Sequence, residues 1–201
     1  MLLIAICVDS ADASERRPAL LGDHGQYLLS LEALRFSAPL ASRDDAAVTG
    51  EGIESSLIIL EGEEWQALVG KLMADPYASG GVWSQIDLYE LRSMPKKSDD
   101  GFFVDMTKDA RWYLRLSTTV PSGTDVFEIA YRDRWKDENS VVVFPDILTG
   151  GGSKGWRGLQ FLSAPSMENA LRTQATQAAK KELVSSSVFA VPVAAGSWTK
   201  R

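Results

Sequence analysis

The chain contains a single histidine, His24, and an aspartate far along the sequence, Asp75, that could act together as an acid–base pair. A histidine titrates near neutrality and can both take and give a proton. A carboxylate on its other ring nitrogen fixes the imidazole tautomer and stabilises the imidazolium. Asp75 is followed by Pro76 at the end of a predicted helix, which is a suitable position for such a carboxylate. The two residues therefore predict a His–Asp dyad if they meet in one pocket.

A structural interpretation of the same histidine competes with the catalytic one. His24 lies on the apolar face of a predicted helix, and a buried histidine often does no more than bond a carboxylate or a carbonyl group. Spacing alone favours this core histidine. The sequence therefore predicts a site but does not reveal its substrate.

The elements that must position the dyad follow from hydrophobic periodicity and turn residues in the first half of the chain. The pattern predicts strands over 2–8, 35–40, 54–60 and 81–91 and helices over 14–34 and 63–74. We expect Ser14 to cap the first helix and Met73 to point inward from the second. The order βαββαβ is that of a ferredoxin-like domain.

The second half of the chain has a similar pattern after a segment of linker composition. It predicts strands over 112–119, 140–145, 157–163 and 187–193 and helices over 125–136 and 167–183. Phe36-Ser-Ala-Pro39 corresponds to Val142-Val-Phe-Pro145, and Val82-Trp83 corresponds to Val188-Phe189, both at a separation of 106 residues. These landmarks predict two tandem repeats, 1–92 and 105–201, joined by a linker over 93–104.

Such a duplication would cover the open face that a ferredoxin-like sheet leaves on one side. We expect an α+β fold in which two βαββαβ repeats face each other as a fused, pseudo-dimeric α+β barrel. At offsets of 106 to 110 residues, the dyad positions fall near 130–134 and on Lys181, so the second repeat keeps neither member. One dyad per chain is therefore predicted.

Two segments resemble the YciI-like (YCII-related) family over about residues 1–92. They are the stretch from Arg17 to His24, and Asp75-Pro76-Tyr77 with Gly81-Val82-Trp83. The family resemblance implies a dimeric α+β barrel, which would here be fused into one chain, and catalytic roles for the histidine and the aspartate. Ala38 before Pro39 departs from the family, which usually has glycine there. We further expect substrate contacts from Arg17, Ser37, Tyr77 and Trp83.

Composition excludes several classes of function. The net charge of −6 argues against nucleic acid and anionic membranes as partners. One histidine and one cysteine, Cys7, exclude a zinc site of the usual kind, and we predict no metal and no cofactor. A lone thiol without a secretory leader or membrane span predicts a cytoplasmic protein. Asp44 and Asp45 are expected to be solvated loop charges, and 149–155 a flexible loop rather than a phosphate site.

These observations lead to one main functional hypothesis and one alternative. The main hypothesis is a cofactor-free acid–base enzyme, a lyase or isomerase, acting on a small organic molecule through His24 and Asp75. The family resemblance adds dehydrochlorinase-like chemistry and ring-derived metabolites as one possible class. The alternative is a non-catalytic small-molecule binding or accessory protein with the same barrel. The chain is expected to be a monomeric pseudo-dimer or a homodimer.

Overall fold

A computed structural model describes residues 1–46, 51–91, 104–105, 111–117, 143–144, 158–164, 166–171, 186–192 and 199–200. The described elements of the first half are, in chain order, β1 (Leu2–Asp9), α1 (Ala13–Ser30), β2 (Leu34–Ala41), β3 (Ile53–Glu61), α2 (Trp65–Met73), α3 (Pro76–Ser79) and β4 (Trp83–Leu91). The predicted strands all form, each within two residues of its expected bounds. The four-residue helix α3 was not predicted.

The described parts of the second half are mostly strands, two of which had not been predicted. They are β5 (Val104–Asp105), β6 (Arg111–Ser117), β7 (Val143–Phe144), β8 (Gly158–Ala164), β9 (Ser186–Val191) and β10 (Thr199–Lys200). A helix begins at residue 167 and is described to 171. The short strands β5 and β10 pair in parallel with each other, outside the main sheet. The predicted helix over 125–136, the loop over 149–155 and Lys181 lie outside the described residues.

Eight strands form one sheet in the order β4-β1-β3-β2-β9-β6-β8-β7. The neighbours β1 and β3 are antiparallel over seven residue pairs, from Leu2–Glu61 to Val8–Ser55. Strands β2 and β9 are joined at one pair, Ala41–Ala190. Taken in chain order within each half, the strands are arranged 4-1-3-2 on both sides of this junction. This is the strand order expected for βαββαβ units, and the fold is α+β as predicted.

The two faces of the sheet bury different side chains because residues alternate along each strand. On one face, Leu2, Ile4 and Ile6 of β1 belong to the same core cluster as Trp112, Leu114 and Leu116 of β6. On the other face, Leu3, Ala5 and Cys7 pack with α1, α2 and the residues around α3. The face of the first half that lies away from α1 and α2 therefore packs against side chains of the second half. The helix-covered face of the first half holds both His24 and Asp75.

Helix α1 differs from its predicted form at both ends. It ends at Ser30 rather than at residue 34, because Leu31 adopts an extended conformation with φ −84° and ψ 108°. It begins after Asp12, so Ser14 does not cap it, and Pro18 lies in its second turn rather than its first. In α2, Met73 is 51% exposed, so the expectation that it points inward was wrong. Leu68 and Leu72 form the buried face of that helix.

The expectation for Asp44 was also wrong, whereas Asp45 behaves as an exposed charge paired with Arg43. Asp44 accepts a hydrogen bond of 2.6 Å from the Tyr113 hydroxyl and bonds of 2.9 and 3.0 Å from the Met167 backbone N–H. A carboxylate at the start of a helix satisfies a backbone N–H that lacks a partner within the helix. One residue of the first half therefore caps a helix of the second half.

We predict that Asp44→Ala lowers the free energy of unfolding by about 1–3 kcal/mol, because it removes a cap and the carboxylate that accepts the hydrogen bond of the Tyr113 hydroxyl. Burial, together with the Asp44 carboxylate, raises the pKa of Tyr113. Stability should therefore fall as pH rises above about 10, where the unfolded chain releases a phenol proton that the folded chain retains. Denaturation curves of both proteins measure these effects, and Asp45→Ala is the control. Equal losses in the two variants would contradict the capping role.

No helix within the described residues is long and apolar enough to cross a membrane.

Candidate active site

His24 lies in the middle of α1 and faces the sheet. The buried positions in the helix are Ala13, His24 and Leu28, whereas the glycines at 22 and 25 have open space beside their Cα atoms. His24 is 9% exposed. The apolar stripe expected from the sequence therefore does carry the histidine to the inner face of α1.

Asp75 lies between α2 and α3, and local backbone structure fixes its carboxylate. Its backbone is extended, and its side chain accepts a hydrogen bond of 2.8 Å from the Tyr77 N–H, which makes it the N-cap of α3. Pro76 occupies the first helical position, where a missing N–H costs nothing. Pro76 thus begins a new helix as well as following the end of α2. An Asp-Pro pair is a signal for this arrangement, which hydrophobic periodicity alone does not report.

The structure brings the two predicted dyad members together. Nδ1 of His24 lies 2.8 Å from Oδ1 of Asp75, and Asp75 is fully buried. Because Oδ1 is an acceptor that also receives the Tyr77 N–H, the ring proton belongs on Nδ1, and the neutral imidazole keeps its lone pair on Nε2. Within the described residues, Nε2 has no hydrogen-bond partner, and it is not one of the fully buried polar atoms that lack a partner. Nε2, the nitrogen that would exchange a proton with a substrate, is therefore the one that remains unpaired.

Two aromatic rings enclose the imidazole. The Tyr77 ring is stacked on it, with centroids 3.8 Å apart and planes 4° from parallel. The Trp83 ring stands edge-on to both, at 5.8 Å from the His24 ring and 5.7 Å from the Tyr77 ring. Burial raises the pKa of the Tyr77 phenol, with the nearby Arg17 charge acting in the opposite direction. Tyr77 therefore stays a neutral hydrogen-bond donor near pH 7.

A β-bulge turns Trp83 toward the histidine. Val8 pairs with Gln85 and Asp9 pairs with Trp83, so Ser84 is an extra residue between two consecutive pairs. An extra residue reverses the alternation of side chains along a strand. Trp83 consequently packs on the helix-covered face, while Tyr89 of the same strand packs between the two halves of the sheet.

Arg17 lies seven residues, or about two helical turns, before His24 on α1, and most of its guanidinium donors are already hydrogen-bonded. Nε and Nη2 donate to the two carboxylate oxygens of Asp9 at 2.5 and 2.6 Å, and Nη2 also donates to Ser56 at 2.9 Å. Nη1 has no partner among the described residues. The guanidinium carbon lies 5.2 Å from the Tyr77 ring centroid. Arg17 thus adjoins the dyad with one nitrogen still available.

Of the predicted substrate-contacting residues, Arg17, Tyr77 and Trp83 surround the dyad, and Ser37 does not join them by any described contact. Ser37 is 7% exposed and pairs with Ile58 in the middle of the sheet. Tyr77 is 1% exposed, so its ring packs against the His24 imidazole and has almost no solvent-accessible surface. Sequence reasoning missed Asp9, which fixes Arg17. An acidic residue at the end of a buried strand was the available signal.

The arrangement can hold and exchange a proton. The buried Asp75 carboxylate stabilises an imidazolium, and the open Nε2 can take a proton from a bound molecule and return it. Cys7 lies on the same face, but burial raises the pKa of its thiol well above the usual value, so it remains protonated and unreactive. Among the residues that the structure describes, no group of three or more His, Cys, Asp or Glu is arranged to hold a metal ion.

The turn before Trp83 depends on Gly81, which has a φ of +71°. A Cβ at this position would lie 2.4 Å from Nη1 of Arg16, which donates to the Gly80 carbonyl. We therefore predict that Gly81→Ala lowers the free energy of unfolding by about 1–2 kcal/mol. Gly25→Ala, in the open middle of α1, should instead raise it by about 0.5–1 kcal/mol. Thermal denaturation of both variants measures these opposite effects on stability. A Gly81→Ala variant as stable as the unaltered protein would disprove the prediction.

Comparison with known proteins gives matches at the level of structure. No protein-family model matches the chain, and no curated protein sequence matches it either. A candidate monooxygenase from Lactobacillus acidophilus NCFM aligns over 97% of this chain and 95% of its own, at 9% identity and a TM-score of 0.52. A candidate monooxygenase from Fusobacterium nucleatum aligns over 98% and 94%, at 8% identity and 0.52. These likenesses extend over both halves and support a ferredoxin-like α+β fold.

A third similar structure corresponds to half of the chain. It is 5-chloro-2-hydroxyhydroquinone dehydrochlorinase, TftG, from Burkholderia phenoliruptrix AC1100, in complex with 2,5-dihydroxybenzoquinone. The match covers 47% of this chain and 96% of that one, at 20% identity and a TM-score of 0.42.

Proposed function

We propose that the protein is a cofactor-free acid–base enzyme that moves a proton on a small organic molecule, with His24 as the general base and Asp75 as its orienting carboxylate. The observation that carries this proposal is the asymmetry of the imidazole. Nδ1 is held by a buried carboxylate at 2.8 Å, whereas Nε2 has no protein partner among the described residues. A purely structural histidine would gain nothing from an open second nitrogen.

We infer a lyase or isomerase step, because abstraction and return of a proton by one histidine are sufficient for an elimination or a proton shift. The surroundings favour a flat ligand with an anionic or oxygen-bearing group. Trp83 gives an apolar edge beside the imidazole, and Nη1 of Arg17 can donate to a negatively charged oxygen. Phenols, quinones and lactone acids have these properties.

We also infer that the chain is a divergent YciI-like protein that arose by tandem duplication, with repeats at 1–92 and 105–201 and a linker at 93–104. The motif residues His24, Asp75, Tyr77 and Trp83 support the family proposal because they are gathered around one ring. The same strand order in both halves supports the duplication. The cytoplasmic location and the state of assembly, a monomeric pseudo-dimer or a homodimer, remain predictions.

The experiment is a ligand screen followed by a turnover assay. Thermal shift against panels of phenols, quinones and lactone acids, in buffer with a chelator and no added cofactor, should identify at least one stabilising class. A ligand at about 100 times its Kd adds about 2.7 kcal/mol to the free energy of unfolding. The stabilising compounds are then followed by chromatography for conversion. Binding with no conversion of any hit would contradict the enzyme hypothesis.

The alternative, a non-catalytic small-molecule binding protein, is supported by one observation, which is that the second repeat keeps neither member of the dyad. At offsets of 106 to 110 residues, the positions of His24 and Asp75 fall near 130–134 and on Lys181. Under this alternative, hits are bound without change and His24→Ala alters the affinity alone. The screen and the assay together distinguish the two functions.

A further inference from the structure

Tyr77 is the residue that contacts both members of the dyad. Its ring is stacked on the His24 imidazole at 3.8 Å, and its backbone N–H donates to Oδ1 of Asp75 at 2.8 Å. It is 1% exposed. Because neighbouring side chains cover the ring, we expect Tyr77 to act on the dyad rather than on a bound molecule.

The Tyr77 ring is itself held from behind. Its hydroxyl donates to the Arg17 backbone carbonyl at 3.1 Å, and the Arg17 guanidinium lies 5.2 Å from the ring centroid. Asp9 and Ser56 fix that guanidinium in turn. The ring therefore has a hydrogen bond at its outer end, a cation beside it and the helix α3 at its base. A swing of the whole phenol ring away from the imidazole would break the first two contacts.

A hydrogen bond to Nδ1 does not by itself fix an imidazole. The terminal torsion of histidine has a broad, roughly two-fold energy profile, so the ring can tilt about the bond to Asp75 or turn over. A parallel ring at 3.8 Å removes the tilt, because any rotation of the imidazole would bring its edge into the Tyr77 carbons. The stack thus determines the direction of the Nε2 lone pair, and Asp75 determines which nitrogen carries the proton.

We propose that Tyr77 is the positioning residue of the dyad: its stacked ring and its backbone N–H hold His24 and Asp75 in the one arrangement that leaves Nε2 without a partner among the described residues. The catalytic role of Tyr77 rests on the proposed function. Its effect on the orientation of the imidazole can be tested without any substrate, because the chain has one histidine and its imidazole signals are unambiguous.

The first test uses NMR of the unaltered protein with ¹⁵N-labelled histidine. The ring current of Tyr77 should shift the two carbon-bound imidazole protons upfield of their positions in an unfolded chain. The Nδ1 proton should be visible and slow to exchange, and the ¹⁵N shifts should report a single tautomer. Unshifted ring protons, or an equal mixture of tautomers, would overturn the proposal without the use of a variant.

The second test uses substitutions with a matched control. Tyr77→Phe keeps the ring and should keep the upfield shift and the single tautomer. Tyr77→Leu removes the stack, so the imidazole protons should move toward unshifted positions and the Nδ1 proton should exchange faster. Phe36→Leu removes a buried aromatic ring from the opposite face of the sheet and should lower the thermal midpoint without changing the His24 signals. Equal NMR changes in Phe36→Leu and Tyr77→Leu would show a general loss of packing instead.

Kinetics on a compound converted in the screen then separate positioning from substrate contact. Misplacement of a catalytic group by about 1 Å can cost about 10²-fold in rate. Tyr77→Leu should therefore lower kcat by about 10- to 100-fold with KM nearly unchanged, while Tyr77→Phe stays within a few-fold of the unaltered enzyme. A raised KM with an unchanged kcat would assign Tyr77 to substrate binding and overturn the proposal. If no compound is converted, the proposed function fails, and the NMR experiments still decide whether Tyr77 fixes the orientation and tautomer of His24.

Discussion

His24→Ala should remove most of the turnover of any compound that the protein converts, with a loss of about 10²–10⁴-fold in kcat, which is the usual contribution of a positioned acid–base group. The variant should remain folded. Removing the imidazole leaves the buried Asp75 carboxylate with the Tyr77 N–H as its described partner, which should cost about 1–3 kcal/mol of unfolding free energy. The thermal midpoint and kcat, measured on the same preparation, give both quantities.

Two further variants make the result specific. Asp75→Asn keeps the shape of the side chain, but its amide can favour the wrong imidazole tautomer, so kcat should again fall steeply. Lys181→Ala alters the residue that the 106-residue offset aligns with Asp75, and it should leave kcat unchanged. A folded His24→Ala protein with full activity would remove the dyad from the mechanism. A variant that simply unfolds would favour the interpretation of His24 as a core residue.

The second large effect concerns the pair between Arg17 and Asp9. Their side chains are 14% and 8% exposed, and breaking a buried ion pair by removing one partner typically costs about 3–5 kcal/mol. Arg17→Met should therefore lower the unfolding free energy by roughly that amount at pH 7, since the Asp9 carboxylate would be left with fewer buried donors. Urea denaturation measures the change.

The controls use the same chemistry elsewhere in the chain. Arg43→Met breaks an exposed pair, whose side chains are 53% and 48% exposed, and should leave the unfolding free energy almost unchanged. The double variant Asp9→Ala with Arg17→Met removes both charges and should recover much of the single-variant loss. If Arg17→Met is no more destabilising than Arg43→Met, the Arg17–Asp9 ion pair does not hold the Tyr77 ring in position.

Much of the fold could be predicted because it depends on periodic patterns. The strands of the first half alternate or are uniformly apolar, and α1 has an apolar stripe that includes His24 and Leu28. The end of α1 was misjudged because Leu31 continues the apolar stripe while its backbone is already extended. Periodicity reports which side chains are buried, and it does not report where the backbone leaves the helix.

The site could be predicted only in part, because its contacts join distant segments. His24 and Asp75 were brought together by a hypothesis about chemistry and a family resemblance, not by any local pattern. The orientation of Trp83 depends on a bulge, and strict alternation would have placed Trp83 on the same face as Gln85. The role of Asp44 depends on Tyr113 and Met167 of the other half. No rule based on neighbouring residues could have predicted these contacts.

The bulge at Ser84 also has a consequence for how this site can evolve. Because Trp83 already pairs with Asp9, loss of the Ser84 codon would place Trp83 directly before Gln85 in an unbulged strand, on the face opposite Gln85, where it lies now. The indole would then stay beside His24, with no change in the dyad itself. A lineage could thus lose one residue at the strand end while conserving both the surroundings of His24 and every residue that handles the proton.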